Sequence, residues 1–326
     1  MNNENIIIYV SSRNNYDMLE GEVFKNIDRE GFELINVDDK SSEEEVQKGK
    51  QMCETAGVVF LENKSRGVQM ATDTVVDFIS DNRPNCKWII CFQHDIYPVS
   101  KNFFSRLSEL IETGQLDEFG GVGFNILDAD SAYTGNAWEL FQKGEMPIGC
   151  VGFGHLGISD NSGRWLATGK NLTVRNKSEL FKNPFICEFA MWPVVGLNVK
   201  VWKDKVIASE DYQFHIWYPD VAMQLNYNNF PIVQLPRLYC YNDQRLKEKY
   251  GMNYNSAVGA QQGDSYHFGN YGDHFTAWKE RWGWDYENVY GTFESIKHNY
   301  EGTLIYDYYH HDYDKGPLKT YDFGEY

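Results

Sequence analysis

The first hundred residues alternate short apolar runs with segments of helical spacing, and this alternation constrains the fold more than any other feature. Three of the runs are Ile6–Val10, Phe32–Val37 and Trp88–Phe92, and each is largely apolar at consecutive positions. Strands that are apolar on both faces are typical of a parallel sheet covered by helices on both sides. The sequence therefore predicts an α/β domain with a mostly parallel central sheet and helices on both faces.

The segments between these runs carry helix signals. Ser42 is placed to cap an acidic helix that continues to about Ala56, with Glu45 completing a capping box. A further strand is predicted at Val58–Leu61, and a further helix at Val68–Ile79.

The pattern changes beyond residue 115. Residues 187–202 are interpreted as a pair of buried strands, and residues 211–235 as a helix followed by a strand. We expect one domain over residues 1–290, with a first half at 1–115 and a second half at 116–290. Residues 291–326 form a C-terminal tail rich in Tyr, His and Asp.

Charge and cysteine content exclude several classes of protein. The chain has 30 Lys and Arg against 47 Asp and Glu, a formal charge of −17, and such a surface repels nucleic acid. Its six cysteines are irregularly spaced and form no CxxC pair, which favours reduced, buried thiols and a cytoplasmic location. The longest apolar run near the start is too short to span a membrane, so no transmembrane segment is expected.

Polar residues follow three of the predicted strands where each strand ends. The carboxyl ends of parallel strands meet at one edge of a sheet, where ligands of such sheets bind. We expect these side chains to lie close together: Ser11 and Arg13, Asp38 and Asp39, and Gln93, His94 and Asp95.

Asp95 is the most informative of these residues. A carboxylate directly after a buried strand is costly to desolvate unless it is paired or bound to a metal. Mg²⁺ or Mn²⁺ held by one or two carboxylates and by substrate phosphates would satisfy it. The alternative is an ordinary loop acid or helix cap.

Three segments in this order resemble the nucleotide-sugar half of a GT-A glycosyltransferase of the family 2 type. They are Asp38-Asp39-x-Ser-Ser after the second strand, Asn63-Lys-Ser-Arg66-Gly67, and Gln93-His94-Asp95 after the fourth strand. The resemblance implies a GT-A fold, which is Rossmann-like, with a C-terminal extension.

The resemblance also implies roles for individual residues. Asp38 would contact the nucleotide base, Arg66 would lie near the diphosphate, and Asp95 would be the last acid of the metal-binding DxD motif. Gln93 stands where that motif has its first Asp. The further candidates for contacts with the nucleotide-sugar are Ser11, Arg13, Asp39, Gln93 and His94.

The second half of the chain extends the resemblance. Residues 210–225 are similar to the family stretch that carries the catalytic base, which maps onto Asp220, with Ala222 in place of a second acid. Glu210 and Asp211 are the reserve candidates for the base. His267 matches a late histidine that completes the metal site in the family. The alternatives are a helix cap at Asp220 and a structural histidine at His267.

The resemblance implies a metal-dependent, inverting glycosyltransferase that uses Mn²⁺ or Mg²⁺. Its donor would be a nucleotide-sugar, with a UDP-sugar expected, and its acceptor a hydroxyl of a glycan or glycoconjugate. Gln93 and Ala222 favour an alternative, a catalytically inactive relative that binds carbohydrate. A nucleotidyltransferase would carry a glycine-rich basic loop after the first strand, and residues 11–16 (SSRNNY) lack one.

Overall fold

The computed structural model describes residues 3–128, 136–149, 181–190, 194–212, 217–243, 245–250, 271–283, 299–311 and 315–326. At its centre, the described residues form a sheet of nine strands. In chain order these are β1 (Ile6–Ser12), β2 (Glu33–Asp38), β3 (Val59–Glu62), β4 (Trp88–Phe92), β5 (Ile96–Pro98), β6 (Gly121–Asp128), β7 (Phe185–Cys187), β8 (Val194–Asn198) and β9 (Ile232–Asn242).

Helices flank the sheet and connect its strands. A π-helical turn at Leu19–Val23 joins the helix at Tyr16–Met18 to the helix at Phe24–Asn26. In chain order they are α1 (Tyr16–Met18), α2 (Phe24–Asn26), α3 (Glu43–Ala56), α4 (Val68–Asn82), α5 (Phe103–Glu112), α6 (Ala137–Gln142), α7 (Val199–Lys205), α8 (Trp217–Tyr227), α9 (Arg245–Lys249), α10 (Tyr271–Trp282) and α11 (Leu304–His310).

The strand order is β3-β2-β1-β4-β8-β6-β9-β5, and β7 pairs with β9. The four N-terminal strands run parallel to one another, and antiparallel pairing begins where β8 joins β4. Ser12 is in register with Asp38, so the carboxyl ends of β1 and β2 lie side by side. The predicted α/β fold is confirmed, and its parallel half brings the strand ends to one edge.

The local sequence explains why these elements form. Every residue of β4 is buried, as its unbroken apolar run predicts. The Ser42 hydroxyl caps α3 by accepting a hydrogen bond from the Glu45 amide at 3.4 Å. The helix ends at Gly57, whose φ of 62° lies in the left-handed region that favours glycine.

The interpretation of residues 187–202 as a pair of buried strands is correct for Val194–Asn198, which form β8, and wrong for the residues from Val199 onward. β7 pairs with β9, whereas β8 lies between β4 and β6, and the residues from Val199 onward form α7. A short apolar run does not distinguish strand from helix. Here the Asn198 side chain decides, because it accepts a hydrogen bond from the Val201 amide at 3.1 Å and caps the helix.

The described part of the tail packs against the body. The Tyr321 amide donates to the Pro184 carbonyl at 2.8 Å, and the Tyr321 ring meets that of Phe119 edge-on at 5.0 Å. None of the helices that the structure describes is long and apolar enough to cross a membrane. The described cysteines are free thiols and buried, as predicted; Cys150 lies outside the described residues.

Candidate active site

Asp39 links the loop that follows β2 to the loop that follows β3, at the carboxyl ends of these strands. Its Oδ1 accepts hydrogen bonds from the Asn63 side-chain amide at 2.8 Å and from the Gly67 backbone amide at 2.7 Å. Burial raises the pKa of Asp39, and the nearby guanidinium groups of Arg13 and Arg66 oppose that rise. The structure therefore brings Arg13 and Asp39 together, as the strand ends predict, and places Arg66 beside them.

Both arginines are half-buried at this edge. A guanidinium group offers several N–H donors in a planar fork, which suits the oxygen atoms of a phosphate. Two such groups beside a buried carboxylate can bind an anion while part of their own charge is already compensated. We call Arg13, Asp39 and Arg66 the arginine cluster.

Asp38 lies in a buried hydrogen-bond network behind this cluster. Its Oδ2 accepts a hydrogen bond from the Tyr16 hydroxyl at 2.6 Å, and its Oδ1 accepts one from the Ser41 amide at 3.0 Å. Only 2% of Asp38 is exposed. Ser11 is half-buried at the end of the neighbouring strand. The role of Asp38 in contacting a nucleotide base stays a prediction.

Asp95 is buried just after β4, and Gln93 and His94 before it are half-buried. The Asp95 carbonyl accepts a hydrogen bond from the Asp243 amide at 2.9 Å, which brings the end of β9 to the same place. Arg245 donates two hydrogen bonds to the Asp243 carboxylate, at 2.7 and 2.9 Å.

Asp243 and Arg245 are residues that sequence reasoning missed. They follow an apolar strand, as the other strand-end residues do, but the sequence pattern places the end of that strand at Leu235. It runs on to Asn242. The continuous apolar run Leu238–Tyr241 after Pro236 is the signal that could have found them.

Asp220 is fully buried in the first turn of α8. Its Oδ1 accepts a hydrogen bond from the Trp282 indole at 2.9 Å. Its Oδ2 accepts hydrogen bonds from Gln69 at 3.0 Å, from Gln224 at 2.8 Å and from Arg281 at 2.5 Å. Burial raises the pKa of Asp220, opposed by Arg281 and these hydrogen bonds.

Glu210 and Asp211 are exposed in the loop that joins α7 to α8. We call residues 206–211 the acidic loop. The Ser209 hydroxyl donates to Asp211 Oδ2 at 2.8 Å, and the Gln224 side chain holds the Ile207 amide at 2.7 Å. The carboxylates of Glu210 and Asp211 are therefore exposed to solvent, on a loop whose backbone is held in place by the Gln224 side chain.

The side chains near Asp95 determine which metal ion this part of the site could hold. In the described residues, no three His, Cys, Asp or Glu side chains lie close enough together to hold a metal ion. His267 lies outside the described residues. Asp95 and the Gln93 side-chain carbonyl are hard oxygen donors, which Mg²⁺ and Mn²⁺ prefer. Such ions often take only one or two protein carboxylates and complete their coordination with substrate phosphates and water, so Asp95 fits this kind of site.

Comparisons with known proteins bear on the fold. No family model matches the sequence, and no curated protein matches it. The chain aligns with a crystal structure of GalNAc-T7 that contains UDP, GalNAc and Mn²⁺, with a TM-score of 0.50 and 10% identity over 90% of this chain and 53% of that one. This chain thus spans about half the length of the GalNAc-T7 chain.

Two structures of the S. aureus TarS fragment 1–349 also align, the second in complex with UDP. Their TM-scores are both 0.41 and their identities are 11% and 10%, over 72% and 75% of this chain and 59% and 62% of theirs. At these identities the likeness to GalNAc-T7 concerns the fold alone. The chain has the α/β fold of a GT-A glycosyltransferase, as its sequence predicts.

Proposed function

We propose that the protein is an inverting glycosyltransferase of the family 2 type. It would move a sugar from a nucleotide-sugar, with a UDP-sugar as the expected donor, to a hydroxyl of a glycan or glycoconjugate. The observation that carries the proposal is the arginine cluster, which gathers two cations at the ligand-binding edge of a GT-A fold. The likeness to a structure that holds UDP supports this choice of donor.

The donor side binds and orients the diphosphate in this proposal. Arg13 and Arg66 direct N–H groups at its oxygen atoms and restrict how it lies in the site. Arg245, held by Asp243 next to Asp95, supplies a third cation from the end of β9. Asp95, with Gln93 beside it, would hold the divalent cation. When bound, that cation neutralises negative charge that develops on the leaving diphosphate.

The acceptor side supplies the general base, and we assign this role to Asp211. A general base must come within hydrogen-bond reach of the proton that it removes. Asp211 is exposed, whereas Asp220 is fully buried with donors on both oxygen atoms. The sequence-based choice of Asp220 remains a prediction, but this geometry favours Asp211, with Glu210 next to it.

The reaction is a single displacement. Asp211 takes the proton of the acceptor hydroxyl as its oxygen forms a bond to the anomeric carbon of the donor sugar. The bond from that carbon to the diphosphate oxygen breaks, and the nucleoside diphosphate leaves with the electron pair. Attack from the opposite face inverts the anomeric configuration.

Donor hydrolysis tests the proposal without knowledge of the acceptor. The full chain is incubated with UDP-GalNAc, UDP-GlcNAc or UDP-glucose in the presence of Mn²⁺, and release of UDP is measured. We expect release from at least one donor and at least a hundredfold loss in Asp211→Asn. Tight binding of UDP without any release would favour the inactive carbohydrate-binding alternative that Gln93 and Ala222 suggest.

A further inference from the structure

Gln69 joins the arginine cluster to the acidic loop. It is the second residue of α4, fully buried, and only two positions after Gly67. A glutamine amide buried in a protein needs partners for both its carbonyl and its NH₂ group, because an unmet group costs about 1–3 kcal/mol. Gln69 has partners for both.

The two ends of the Gln69 amide reach different parts of the acceptor side. Its Nε2 donates to Asp220 Oδ2 at 3.0 Å. Its Oε1 accepts a hydrogen bond from the Ser209 backbone amide at 2.6 Å. The Ser209 hydroxyl in turn donates to Asp211 Oδ2 at 2.8 Å. One amide therefore fixes both the start of α8 and the position of the acidic loop.

Gln69 is connected to the donor side through the backbone of Gly67, two positions before it. The Gly67 amide donates to Asp39 Oδ1, and the Gly67 carbonyl accepts from the Ala71 amide in the first turn of α4. A short hydrogen-bonded route therefore leads from Asp39, beside Arg13 and Arg66, through the first turn of α4 to Ser209 and Asp211.

Apolar packing accounts for only part of the position of the acidic loop, because Val206 and Ala208 are partly buried against the core. Ile207, its largest apolar side chain, is 71% exposed, and Glu210 and Asp211 also face solvent. The rest of the loop is held through polar contacts to its backbone, from Gln69 to Ser209 and from Gln224 and Arg281 to Ile207. Hydrogen bonds of this kind fix where the loop backbone lies, and they bury little additional apolar surface.

We infer that Gln69 is a positioning residue, which sets the distance between the bound donor and the carboxylate of Asp211. The inference rests on the proposed function. Glutamine carries an acceptor and a donor on one planar group of this length at any pH, so it meets both Ser209 and Asp220, whereas glutamate does so only when protonated. A displacement of about 1 Å in a catalytic group is enough to cost a hundredfold in rate.

The test compares Gln69→Leu with Thr72→Val in the full chain. Thr72 is buried on the same helix, and its hydroxyl bonds to Tyr9 at 2.6 Å, away from the acidic loop. UDP release is measured with whichever of the three UDP-sugars the wild type hydrolyses. We expect kcat to fall about ten- to hundredfold in Gln69→Leu, with KM for the donor within twofold of wild type. Thr72→Val should keep the wild-type kcat.

Amide hydrogen exchange provides a readout that does not need turnover. Residues 206–211 should exchange faster in Gln69→Leu and at the wild-type rate in Thr72→Val. Should Gln69→Leu fail to fold, Gln69→Glu replaces it, because a protonated Glu keeps both the acceptor and a donor. Its kcat, as a fraction of the wild-type value at the same pH, should rise as the pH falls.

The possible failures are distinct. Wild-type turnover together with an unchanged kcat or unchanged loop exchange in Gln69→Leu would overturn the inference and leave the proposed function standing. A wild-type protein that releases no UDP from any donor would instead overturn the proposed function, and the assignment of Gln69 with it.

Discussion

The Tyr16 hydroxyl donates a 2.6 Å hydrogen bond to Oδ2 of Asp38, so the carboxylate at the end of β2 is held from inside the protein. Tyr16 is 1% exposed and Asp38 is 2% exposed. Burial, together with the neighbouring carboxylate, raises the pKa of Tyr16 well above its ordinary value. The phenol therefore stays protonated and remains the donor at any physiological pH.

This pair changes what we expect from Asp38→Ala. If Asp38 were a strand-end residue open to a ligand, Asp38→Ala would lower the affinity for nucleotide and leave the stability of the protein unchanged. Removal of this buried acceptor instead leaves the O–H donor of Tyr16 without its acceptor, and should lower the free energy of unfolding by about 1–3 kcal/mol. Urea denaturation measures this loss, and calorimetry with UDP measures any change in affinity.

Tyr16→Phe is the matched variant, because it removes the hydroxyl and keeps the ring. The double variant should lose less stability than the two single losses added together, since the unsatisfied group is then absent. Additive losses would show that the two side chains act independently.

Asp39 gives a pH-dependent prediction. Burial raises its pKa above the value of about 3.9 that it has in the unfolded chain, despite Arg13 and Arg66. A group with a raised pKa contributes stability below its unfolded pKa, and this contribution is lost as the pH rises through the folded pKa. Asp39→Asn keeps an oxygen for Asn63 and Gly67 but does not titrate.

The stability of the wild type relative to Asp39→Asn should therefore fall as the pH rises from about 3.9 and level off above the folded pKa. Urea denaturation of both proteins across this range measures the difference. A difference that grows in favour of the wild type with rising pH would mean that the hydrogen bonds from Gly67 and Asn63, together with the two arginines, outweigh burial.

The elements predicted best from the sequence are those that local signals specify. The apolar run of β4 and the Ser42 cap of α3 depend on neighbouring residues, and both are confirmed. The proximity of Arg13 to Asp39 could also be predicted, because parallel strands necessarily bring their carboxyl ends together. Only the family resemblance places Arg66 near them.

The surroundings of Asp220 could not be predicted in this way. Its partners Gln69 and Arg281 lie 151 and 61 residues away in the chain, and no local pattern marks them. An Asp in the first turn of a helix looks the same in the sequence whether it faces a substrate or a buried arginine. The same holds for Asp38. Its partner Tyr16 lies in α1, in the connection between β1 and β2, and no local pattern links the two residues.

Asp95 should make UDP binding depend on a divalent cation. Calorimetry on the wild type should show much tighter binding of UDP with Mn²⁺ than with EDTA. Asp95→Ala should remove that difference, because the ion then loses its carboxylate ligand. Asp77→Ala, which changes an exposed acid of α4, is the matched control and should keep the difference. Equal affinity for UDP with Mn²⁺ and with EDTA in the wild type would contradict the metal assignment.

The last prediction separates Asp211 from Asp220. Asn at either position keeps the shape of the side chain and removes its basicity. Because Asp211 is exposed, Asp211→Asn should leave the unfolding free energy nearly unchanged and lower kcat for UDP release by about 10²–10⁴-fold, the usual contribution of a general base. Its affinity for UDP should stay near the wild-type value.

Asp220→Asn should act mainly on stability, because it breaks a pair between a fully buried carboxylate and Arg281. Loss of one partner of a buried pair costs about 3–5 kcal/mol. We expect the low end here, since the Arg281 side chain keeps 25% of its exposure and can turn to water. Urea denaturation and kcat are measured on both variants. If Asp220→Asn keeps its stability and loses turnover while Asp211→Asn keeps its turnover, the base is Asp220, and the hydrogen bonds from Arg281 and Trp282 must open before the acceptor hydroxyl can reach it.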